Sequence, residues 1–388
     1  MTGPAASDLI LVLNAGSSSI RIAVFDSDLT ERLSGIADGI GGPGTLRIGD
    51  EKTARNLPDH ATALQSILQA LETHGFPLAR FRAAGHRVVH GGTELTAPAR
   101  LTPEVIAATR RCVPLAPLHN PHNLAAIETL ARLAPDLPQT GTFDTAFHAT
   151  NPEVATRYAL PDAVTARGIR RYGFHGTSYA SLVRTMPGIT GAPLPARLLA
   201  LHLGNGASIC AIRDGRSVAT TMGYSPLGGL TMGTRTGEID GNAVLRLAEE
   251  DGIAATHDLL NKNSGLRGLS GGLSDMRALM ESDTPEARFA IDHFCYWAIR
   301  HAGSLIAAME GVDAVAFTGG IGENAAPIRA RIMAGLGWLG LRCDTAANDH
   351  GGPRLHAPDS KVTAWIVPAQ EERMIAADAR ALIGAGAP

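Results

Sequence analysis

Two stretches of the chain share one pattern, in which an apolar run is followed by a turn of small residues and a second apolar run. The first pair of runs is Leu9–Leu13 and Ile20–Phe25, and the second pair is Leu198–Leu203 and Ile209–Ile212. Small or polar residues fill both intervals. Apolar runs of this length around such a turn predict two strands joined as a hairpin.

The two predicted hairpins indicate an internal repeat about 190 residues apart. Aligning Ser19 with Ser208 superposes both turns and the apolar residues beside them. Each turn offers backbone N–H groups and hydroxyls, and no bulky side chain stands in the way. Such a turn is suited to cradling a phosphate group. The repeat therefore predicts one phosphate-binding turn in each half of the chain.

A third glycine-rich element follows the apolar run Val312–Thr318. Its turn, Gly319–Asn324, precedes the helical pattern Ala325–Leu336. Helix N-termini attract anions, so this element also favours a nucleotide. The turn matches the dinucleotide pattern GxGxxA, with Asp344 downstream, which makes a Rossmann oxidoreductase that binds NAD(H) the rival hypothesis. That hypothesis accounts for nothing N-terminal to residue 312.

Length and composition limit the classes of function. At 388 residues the chain is long enough for two or three domains, with the segment Phe143–Pro161 as the expected crossing between them and Pro187–Pro195 as a surface loop. Apolar residues make up 45% and charged residues 18%, and the net charge of −3 argues against nucleic acid or anionic membranes as partners. The apolar run near the N-terminus has no basic residue before Arg21, which predicts a cytoplasmic location rather than secretion.

Several familiar motifs are excluded. Only three of the 34 basic residues are lysine and none follows a glycine, so a P-loop is impossible. The serine of Gly268–Gly272 does not follow a strand, which argues against a hydrolase nucleophile. The pairs His86/His90 and His119/His122 have metal-ligand spacing but no third ligand nearby. The four cysteines lie far apart and are expected to be scattered core thiols.

Single polar residues stand among small and apolar ones at several predicted turns and strand ends. They are Asn14, Arg87, Asp144, His175 and Arg235. Each alone is equally typical of a capping or salt-bridged structural residue. Together they suit phosphoryl transfer between anions, because arginine forks neutralise the transferring oxygens and a carboxylate helps to hold Mg²⁺.

Nine segments resemble the acetate kinase family in order and spacing, and together they span the chain. They are Asn14–Ser19, His86–Gly92, Pro114–Pro121, Phe143–His148, Arg171–Ser178, His202–Ser208, Met232–Arg235, Gly319–Asn324 and Pro368–Glu372.

The resemblance implies an α/β fold of the actin, hexokinase and sugar-kinase superfamily. Two duplicated ribonuclease-H-like (actin-like ATPase) domains with a cleft between them are expected at residues 1–148 and 149–371, with 372–388 packing back on the first domain. The implied activity is the reversible transfer of the ATP γ-phosphoryl group to acetate, giving acetyl phosphate and ADP by direct in-line displacement. Mg²⁺, for which Mn²⁺ can substitute, is the implied metal, and a homodimer is the implied assembly.

The resemblance also assigns roles to residues. The implied catalytic residues are Asn14, Arg87, Asp144, His175 and Arg235. Those implied for magnesium are Asn14, Asp144 and Glu371. Those implied for the acetate pocket, together with Arg87, are Val89, Leu118, Phe174 and Pro226. Those implied for ATP are Ser17, Ser19, Arg21, His202, Leu203, Gly204, Asn205, Gly206, Asp275, Met276, Arg277, Gly320, Ile321, Gly322, Glu323 and Asn324.

Four positions depart from the family pattern. Arg21 stands where lysine is usual, and Thr93 and Gly228 stand where glutamate is common. Ala219 stands where aspartate is common. The last two flank the stretch that contains Pro226, so propionate or butyrate is the nearest alternative acceptor. From another class, the chain could be a non-catalytic regulator that binds ATP on the same scaffold.

Overall fold

The computed structural model describes residues 8–384, which form two compact units of mixed α/β structure. One unit contains residues 8–147 and 370–384, and the other contains residues 148–369. Residues 1–7 and 385–388, which the expected domain ranges include, lie outside the described residues.

The secondary structure alternates strands and helices in both units. The described strands are β1 (Leu9–Ala15), β2 (Ser19–Phe25), β3 (Glu31–Asp38), β4 (Gly42–Ile48), β5 (Glu51–Leu57), β6 (Phe81–Val88), β7 (Ala99–Arg100), β8 (Gln139–Phe143), β9 (Arg197–Leu203), β10 (Ala207–Arg213), β11 (Arg216–Thr220), β12 (Ala314–Thr318) and β13 (Thr363–Ile366). The described α-helices are α1 (His60–Thr73), α2 (Pro103–Arg111), α3 (Asn120–Leu133), α4 (Glu153–Thr156), α5 (Asp162–Thr165), α6 (Gly176–Thr190), α7 (Gly241–Asp251), α8 (Ile253–Lys262), α9 (Gly265–Ser270), α10 (Met276–Glu281), α11 (Pro285–Ala308), α12 (Gly319–Asn324), α13 (Ala326–Gly335), α14 (Thr345–Asp349) and α15 (Glu371–Gly384). Short 3-10 helices occupy Leu78–Arg80, Val113–Leu115, Ala146–Thr150 and Gly337–Leu339.

Both sheets are built on the same strand order. The first sheet runs β5-β4-β3-β2-β1-β6-β8-β7 and the second runs β11-β10-β9-β12-β13. In each, three strands joined by antiparallel pairing are followed by two strands parallel to the first of the three. This repeated order confirms the expected duplicated ribonuclease-H-like fold. The Rossmann hypothesis was wrong, because its sheet is a mostly parallel one in a different order.

The strand pairing corrects the register of the internal repeat. In the first hairpin the Gly16 N–H donates to the Ser19 carbonyl, whereas in the second the Gly204 N–H donates to the Gly206 carbonyl. The second turn is therefore one residue shorter. If Gly16 corresponds to Gly204, Ser19 corresponds to Gly206 and not to Ser208.

The first sheet is covered on both faces. The apolar side chains of α1 and α3 form one core with β1 and β2, and those of α15 form another against the opposite face of the same strands. The approach of α15 is close at Gly85 of β6, where an added Cβ would lie 2.7 Å from Cγ2 of Ile375. Glycine is therefore required for the helix to lie on the strand at this point.

The second unit packs its long helix α11 against α9, α10, α13 and the strands β9 to β11.

The expected surface loop Pro187–Pro195 was wrong in its first four residues, because α6 continues to Thr190 with Pro187 inside it. Pro187 has no N–H to donate to the carbonyl of Val183, and the helix ends less than one turn later, at Gly191 in a left-handed conformation. The expectation of scattered core thiols is confirmed for Cys112, Cys210 and Cys295, which are buried and free, whereas the free Cys343 is only half-buried. No helix within residues 8–384 is both long and apolar enough to cross a membrane.

Candidate active site

Three of the predicted catalytic residues meet at one edge of the first sheet. Asn14 is the penultimate residue of β1, Arg87 is the penultimate residue of β6, and Asp144 directly follows β8. These strands are parallel to one another. Their carboxyl ends therefore bring an amide, a guanidinium and a carboxylate together, although the residues are far apart in the sequence.

The Arg87 guanidinium is the centre of this group. Its Nε lies 3.0 Å and its Nη2 2.5 Å from Oδ2 of Asp144, and its Nη1 donates to Oδ1 of Asn14 over 3.3 Å. Only 1% of the Asp144 side chain is exposed, against 21% for Arg87. The buried Asp144 carboxylate is thus held by two nitrogens of Arg87, whose side chain is partly exposed to solvent.

Glu371, which was predicted to organise magnesium, joins the same group from the N-terminus of α15. Its Oε2 lies 3.9 Å from Nε of Arg87. Burial raises the pKa of Glu371; the charge of Arg87 lowers it and that of Asp144 raises it again. The pKa of the adjacent Glu372 is also raised, mainly by burial. This unit therefore gathers more carboxylate groups than its one central arginine neutralises.

The predicted phosphate residues of the first unit lie at the β1–β2 turn. Ser17 is exposed and Ser19 half-buried, and Arg21 is exposed on β2 opposite Asn14. Of the acetate-pocket residues in this unit, Val89 is buried directly after β6 and Leu118 is half-buried before α3.

In the second unit two of the predicted histidines stack. The rings of His175 and His202 lie 4.2 Å apart with 27° between their planes. His202 is near the end of β9, and His175 begins α6 in a left-handed conformation with a φ of 58°. Each Nδ1 contacts a serine hydroxyl, Ser208 for His175 at 2.9 Å and Ser178 for His202 at 2.8 Å.

The short turn Gly204–Gly206 lies beside this histidine pair. A Cβ added to Gly206 would be 3.3 Å from Nε2 of His175 and 3.7 Å from Nη1 of Arg235. Glycine at this position therefore leaves both groups beside an open backbone turn. Arg235 is half-buried and its Nη1 also donates to the carbonyl oxygen of Pro226 over 3.2 Å.

The remaining pocket residues of the second unit differ in exposure. Phe174 is 1% exposed, and its carbonyl oxygen is 2.9 Å from Nε2 of His148. Pro226 is half-buried in the loop that holds Arg235.

Most of the predicted adenosine residues line one cavity of about 400 Å³ in the second unit. Its lining residues are Gly204, Asn205, Ser274, Asp275, Met276, Arg277, Met280, Gly320, Ile321, Asn324 and Ala325. Asp275 caps α10 by accepting from the N–H groups of Arg277 and Ala278. The cavity thus lies between the hairpin turn, the start of α10 and the first turn of α12.

Comparison with known proteins decides the family. A model of the Acetokinase family matches residues 9–377. The chain belongs to the Acetokinase family. It is similar to an acetate kinase from Rhodopseudomonas palustris, with 48% identity over 95% of this chain and 97% of that protein. The resemblance drawn from the sequence motifs is therefore confirmed.

Solved structures of the family superpose on nearly the whole chain. The acetate kinase of Porphyromonas gingivalis gives a TM-score of 0.89 at 37% identity, covering 98% of this chain and 100% of that chain. A propionate kinase of Francisella tularensis gives a TM-score of 0.91 at 34% identity, covering 97% and 100%. The chain is accordingly a kinase that binds ATP and transfers a phosphoryl group to a carboxyl acceptor, and the non-catalytic regulator hypothesis was wrong.

Eight of the sixteen predicted ATP residues lie outside the cavity lining. Ser17, Ser19 and Arg21 lie in the first unit, His202 belongs to the histidine pair and Gly206 lies beside it, and the other three are Leu203, Gly322 and Glu323. Glu323 uses its Oε1 to accept from the backbone N–H groups of Gly319 and Ala369, both at 2.9 Å, so it holds its own turn together. Gly322 is buried, and its carbonyl accepts from the Arg329 guanidinium. Leu203 is also fully buried, as expected for an apolar side chain near the end of a central strand.

The positions that depart from the family pattern lie apart from this cavity. Thr93 is exposed after β6 and Ala219 is half-buried on β11. Gly228 borders a second, larger cavity of about 540 Å³, which also contacts Arg171 and Arg300. The larger cavity shares no lining residue with the predicted nucleotide set, so cavity size and the sequence prediction point to different cavities.

Several residues that hold the site were absent from the sequence prediction. On α3, Asn123 accepts from the Val89 N–H, and Asn120 both accepts from the His90 N–H and donates to its carbonyl. In the second unit Ser208 and Ser178 hold the two histidines. A polar residue that interrupts an apolar strand or an apolar helix face is the signal that could have found them.

Proposed function

We propose that this protein phosphorylates acetate with ATP, reversibly forming acetyl phosphate and ADP. The observation that carries the proposal is the Arg87 fork at the carboxyl edge of the first sheet, beside Asn14 and Asp144. A guanidinium fork binds the planar oxygen pair of a carboxylate and neutralises the oxygens of a phosphoryl group. The acetate kinases among the relatives support acetate as the acceptor.

In the first unit, Arg87 would bind the acceptor carboxylate and the transferring phosphoryl group, while Asp144 fixes the plane of its guanidinium. Val89 and Leu118 would contribute the apolar contact for the acetate methyl group. Exposed serine hydroxyls at the β1–β2 turn, with Arg21, offer donors for phosphate oxygens.

In the second unit, His175 and Arg235 would donate to the phosphoryl oxygens in the transition state. Donors that are already positioned stabilise the charge there without further reorganisation, so direct in-line displacement needs no covalent enzyme intermediate. Phe174 and Pro226 are the further apolar residues proposed for the acceptor. The cavity of about 400 Å³ would take the adenosine, with the turn Gly204–Gly206 close to the phosphates.

The oxygen donors of the first unit fit magnesium. Asp144 is a buried carboxylate and Glu371 a half-buried one, with the Asn14 amide oxygen close by, and Mg²⁺ prefers oxygen ligands. No group of three or more histidine, cysteine, aspartate or glutamate residues gathers for a metal in residues 8–384. Mg²⁺ typically keeps several waters and binds one or two carboxylates plus substrate phosphates, so no larger cluster is needed. Asn14, Asp144 and Glu371 would hold the ion, which supplies charge neutralisation at the phosphates.

Propionate or butyrate is the second candidate acceptor. It is favoured by the similarity to a solved propionate kinase and by Gly228 and Ala219 near the Pro226 stretch. One methylene in an apolar pocket changes the binding free energy by only ~1–3 kcal/mol. The choice between these acids is therefore a matter for measurement.

The test is ADP formation from Mg-ATP with acetate, propionate and butyrate in parallel, with a no-acid control and a sample containing excess chelator. We expect the highest kcat/KM with acetate, and no turnover with chelator until Mg²⁺ or Mn²⁺ is restored. A higher kcat/KM with a longer acid would replace the proposed substrate and keep the reaction. Full activity with chelator would overturn the proposed metal requirement. Sedimentation of the purified protein would test the proposed homodimer. Fractionation of cells would test the proposed cytoplasmic location.

A further inference from the structure

A chain of buried hydroxyl groups lies behind His175 in the second unit. The Ser208 hydroxyl is 2.9 Å from Nδ1 of His175 and 2.6 Å from the hydroxyl of Tyr179. Ser208 and Tyr179 are both 0% exposed. Ser208 lies on β10 between apolar neighbours, where burying a hydroxyl is costly unless it is hydrogen-bonded.

The opposite nitrogen of the ring faces the turn. Nε2 of His175 is the ring atom closest to the position of a Cβ on Gly206, at 3.3 Å, and Nη1 of Arg235 is 3.7 Å from the same point. The contact between Nδ1 and Ser208 therefore determines which nitrogen points to the Gly206 turn and to Arg235.

We propose that Ser208, supported by Tyr179, is a positioning residue that holds His175 with its proton on Nε2. In this arrangement the Tyr179 hydroxyl donates to Ser208, and the Ser208 hydroxyl donates to Nδ1 of His175. A neutral imidazole that accepts at Nδ1 carries its proton at Nε2. The ring then presents an N–H donor to the turn. The inference rests on the proposed function, in which His175 donates to phosphoryl oxygens.

The direction of these hydrogen bonds has support at Tyr179. Burial raises the pKa of this phenol well above its usual value, so it keeps a proton to donate. The Ser208 hydroxyl lies 2.6 Å away, within reach of that proton. This favours a Tyr179 hydroxyl that donates to Ser208.

A second buried group holds the backbone of His175. Nε2 of His148 lies 2.9 Å from the carbonyl oxygen of Phe174, and a carbonyl can only accept, so the proton of His148 is on Nε2. Its Nδ1 then accepts from the Ser217 hydroxyl, 2.8 Å away. His175 has a φ of 58°, a left-handed conformation that is unfavourable for a residue with a Cβ. The bond from His148 to the preceding residue helps to keep this conformation.

The chain also offers a matched control. Ser178 contacts Nδ1 of His202 at 2.8 Å, in the same way that Ser208 contacts His175, and it is also buried. Ser178→Ala, which removes that hydroxyl, should therefore change the tautomer of His202 and leave the tautomer of His175 unchanged.

The experiment measures the tautomer directly and the kinetics separately. The full-length protein is labelled with ¹⁵N-histidine, and long-range ¹H–¹⁵N spectra give the protonated nitrogen of each ring, with His175→Gln identifying the His175 signals. We expect His175 to be protonated at Nε2. In Ser208→Ala the Nδ1-protonated form should rise, and kcat should fall roughly 10- to 100-fold with KM for ATP and for the acid nearly unchanged. Ser208→Thr, which keeps the hydroxyl, should restore the tautomer.

Tyr179→Phe provides a second variant, because it removes one oxygen and keeps the ring that fills the core. It should raise the Nδ1-protonated fraction of His175 in the same direction as Ser208→Ala. Protonation at Nδ1 in the unsubstituted protein, or an unchanged tautomer in both variants, would overturn the inference. The spectra are recorded without substrate, so they test it even if acetate is not phosphorylated.

Discussion

The Arg87 guanidinium binds the Asp144 carboxylate through Nε and Nη2, with a shortest nitrogen-to-oxygen distance of 2.5 Å. Because Asp144 is almost fully buried, this pair links the stability of the first unit to its chemistry. A carboxylate that is buried without its partner is costly, whereas an exposed pair contributes little.

Replacement of Arg87 tests this link. In Arg87→Gln we expect the free energy of unfolding to fall by about 3–5 kcal/mol at neutral pH, because Asp144 loses its cation. Activity should be lost as well. Arg82→Gln is the matched control, since Arg82 lies on the same strand and is exposed. Denaturant titration measures both variants, and an equal loss in the two would show that the buried pair is not the cause.

Removal of His175 tests its role in the transition state. In His175→Ala we expect kcat to fall about 10²–10³-fold, the range for removing one positioned donor to developing charge. His350→Ala, at an exposed histidine of the same unit, should leave kcat unchanged. Steady-state kinetics with saturating ATP and acid distinguish the two. A rise in KM with normal kcat in His175→Ala would contradict a transition-state role.

Two histidines at the end of β6 predict acid sensitivity of the first unit. Burial lowers the pKa of His86 to about 4, although its hydrogen bond to Gln139 opposes the shift, and burial lowers the pKa of His90 to about 4. Above pH 6.5 both are neutral in the folded and unfolded states, so their stability contribution is complete. As pH falls from 6.5 towards 4, only the unfolded chain takes up these protons, and stability is lost.

Unfolding measured between pH 7.5 and 4.5 checks this expectation. Within that window each histidine should lower the free energy of unfolding by at most about 1.4 kcal/mol per pH unit. The carboxylates titrate in the same way in His86→Gln and in the unsubstituted protein. The slope of the unfolding free energy against pH should therefore differ between the two by the one proton that His86 takes up. Parallel curves for the variant and the unsubstituted protein would contradict the lowered pKa of His86.

The cavity proposed for adenosine can be filled without disturbing the fold. A Cβ added to Gly320 meets nothing within 4 Å, and Gly320 borders the cavity. In Gly320→Leu we therefore expect KM for ATP to rise about tenfold or more, equivalent to a loss of at least ~1.4 kcal/mol of binding, with the melting temperature nearly unchanged. Gly337→Leu, at an open position away from the cavity, is the control. Unchanged ATP binding in Gly320→Leu would exclude this cavity as the adenosine site.

The sequence predicted the strands that carry the site better than it predicted the contacts behind them. Alternation of apolar runs and small turns located both hairpins and the strand before Gly319, because those features are local. The predicted turn Gly319–Asn324 was wrong, since these residues form helix α12. The exact register of the repeat depends on turn length. The structural role of Glu323 depends on its hydrogen bond from the Ala369 N–H, which lies far along the chain. The same holds for Ser208 and Tyr179, whose pairing joins a strand to a helix. Such contacts arise only when elements pack, so local patterns do not reveal them.

One face of the first sheet is covered by α15, the last helix within residues 8–384. Gly85 of β6 and Ile375 of α15 touch, yet they belong to opposite ends of the polypeptide, and the whole second unit is encoded between them. During synthesis the apolar face of β1 and β2 that packs on α15 therefore stays uncovered until residues 371–384 have followed the second unit. The second unit, by contrast, comes from one continuous segment, residues 148–369. Loss of α15 would leave the second unit complete but one apolar face of the first sheet uncovered.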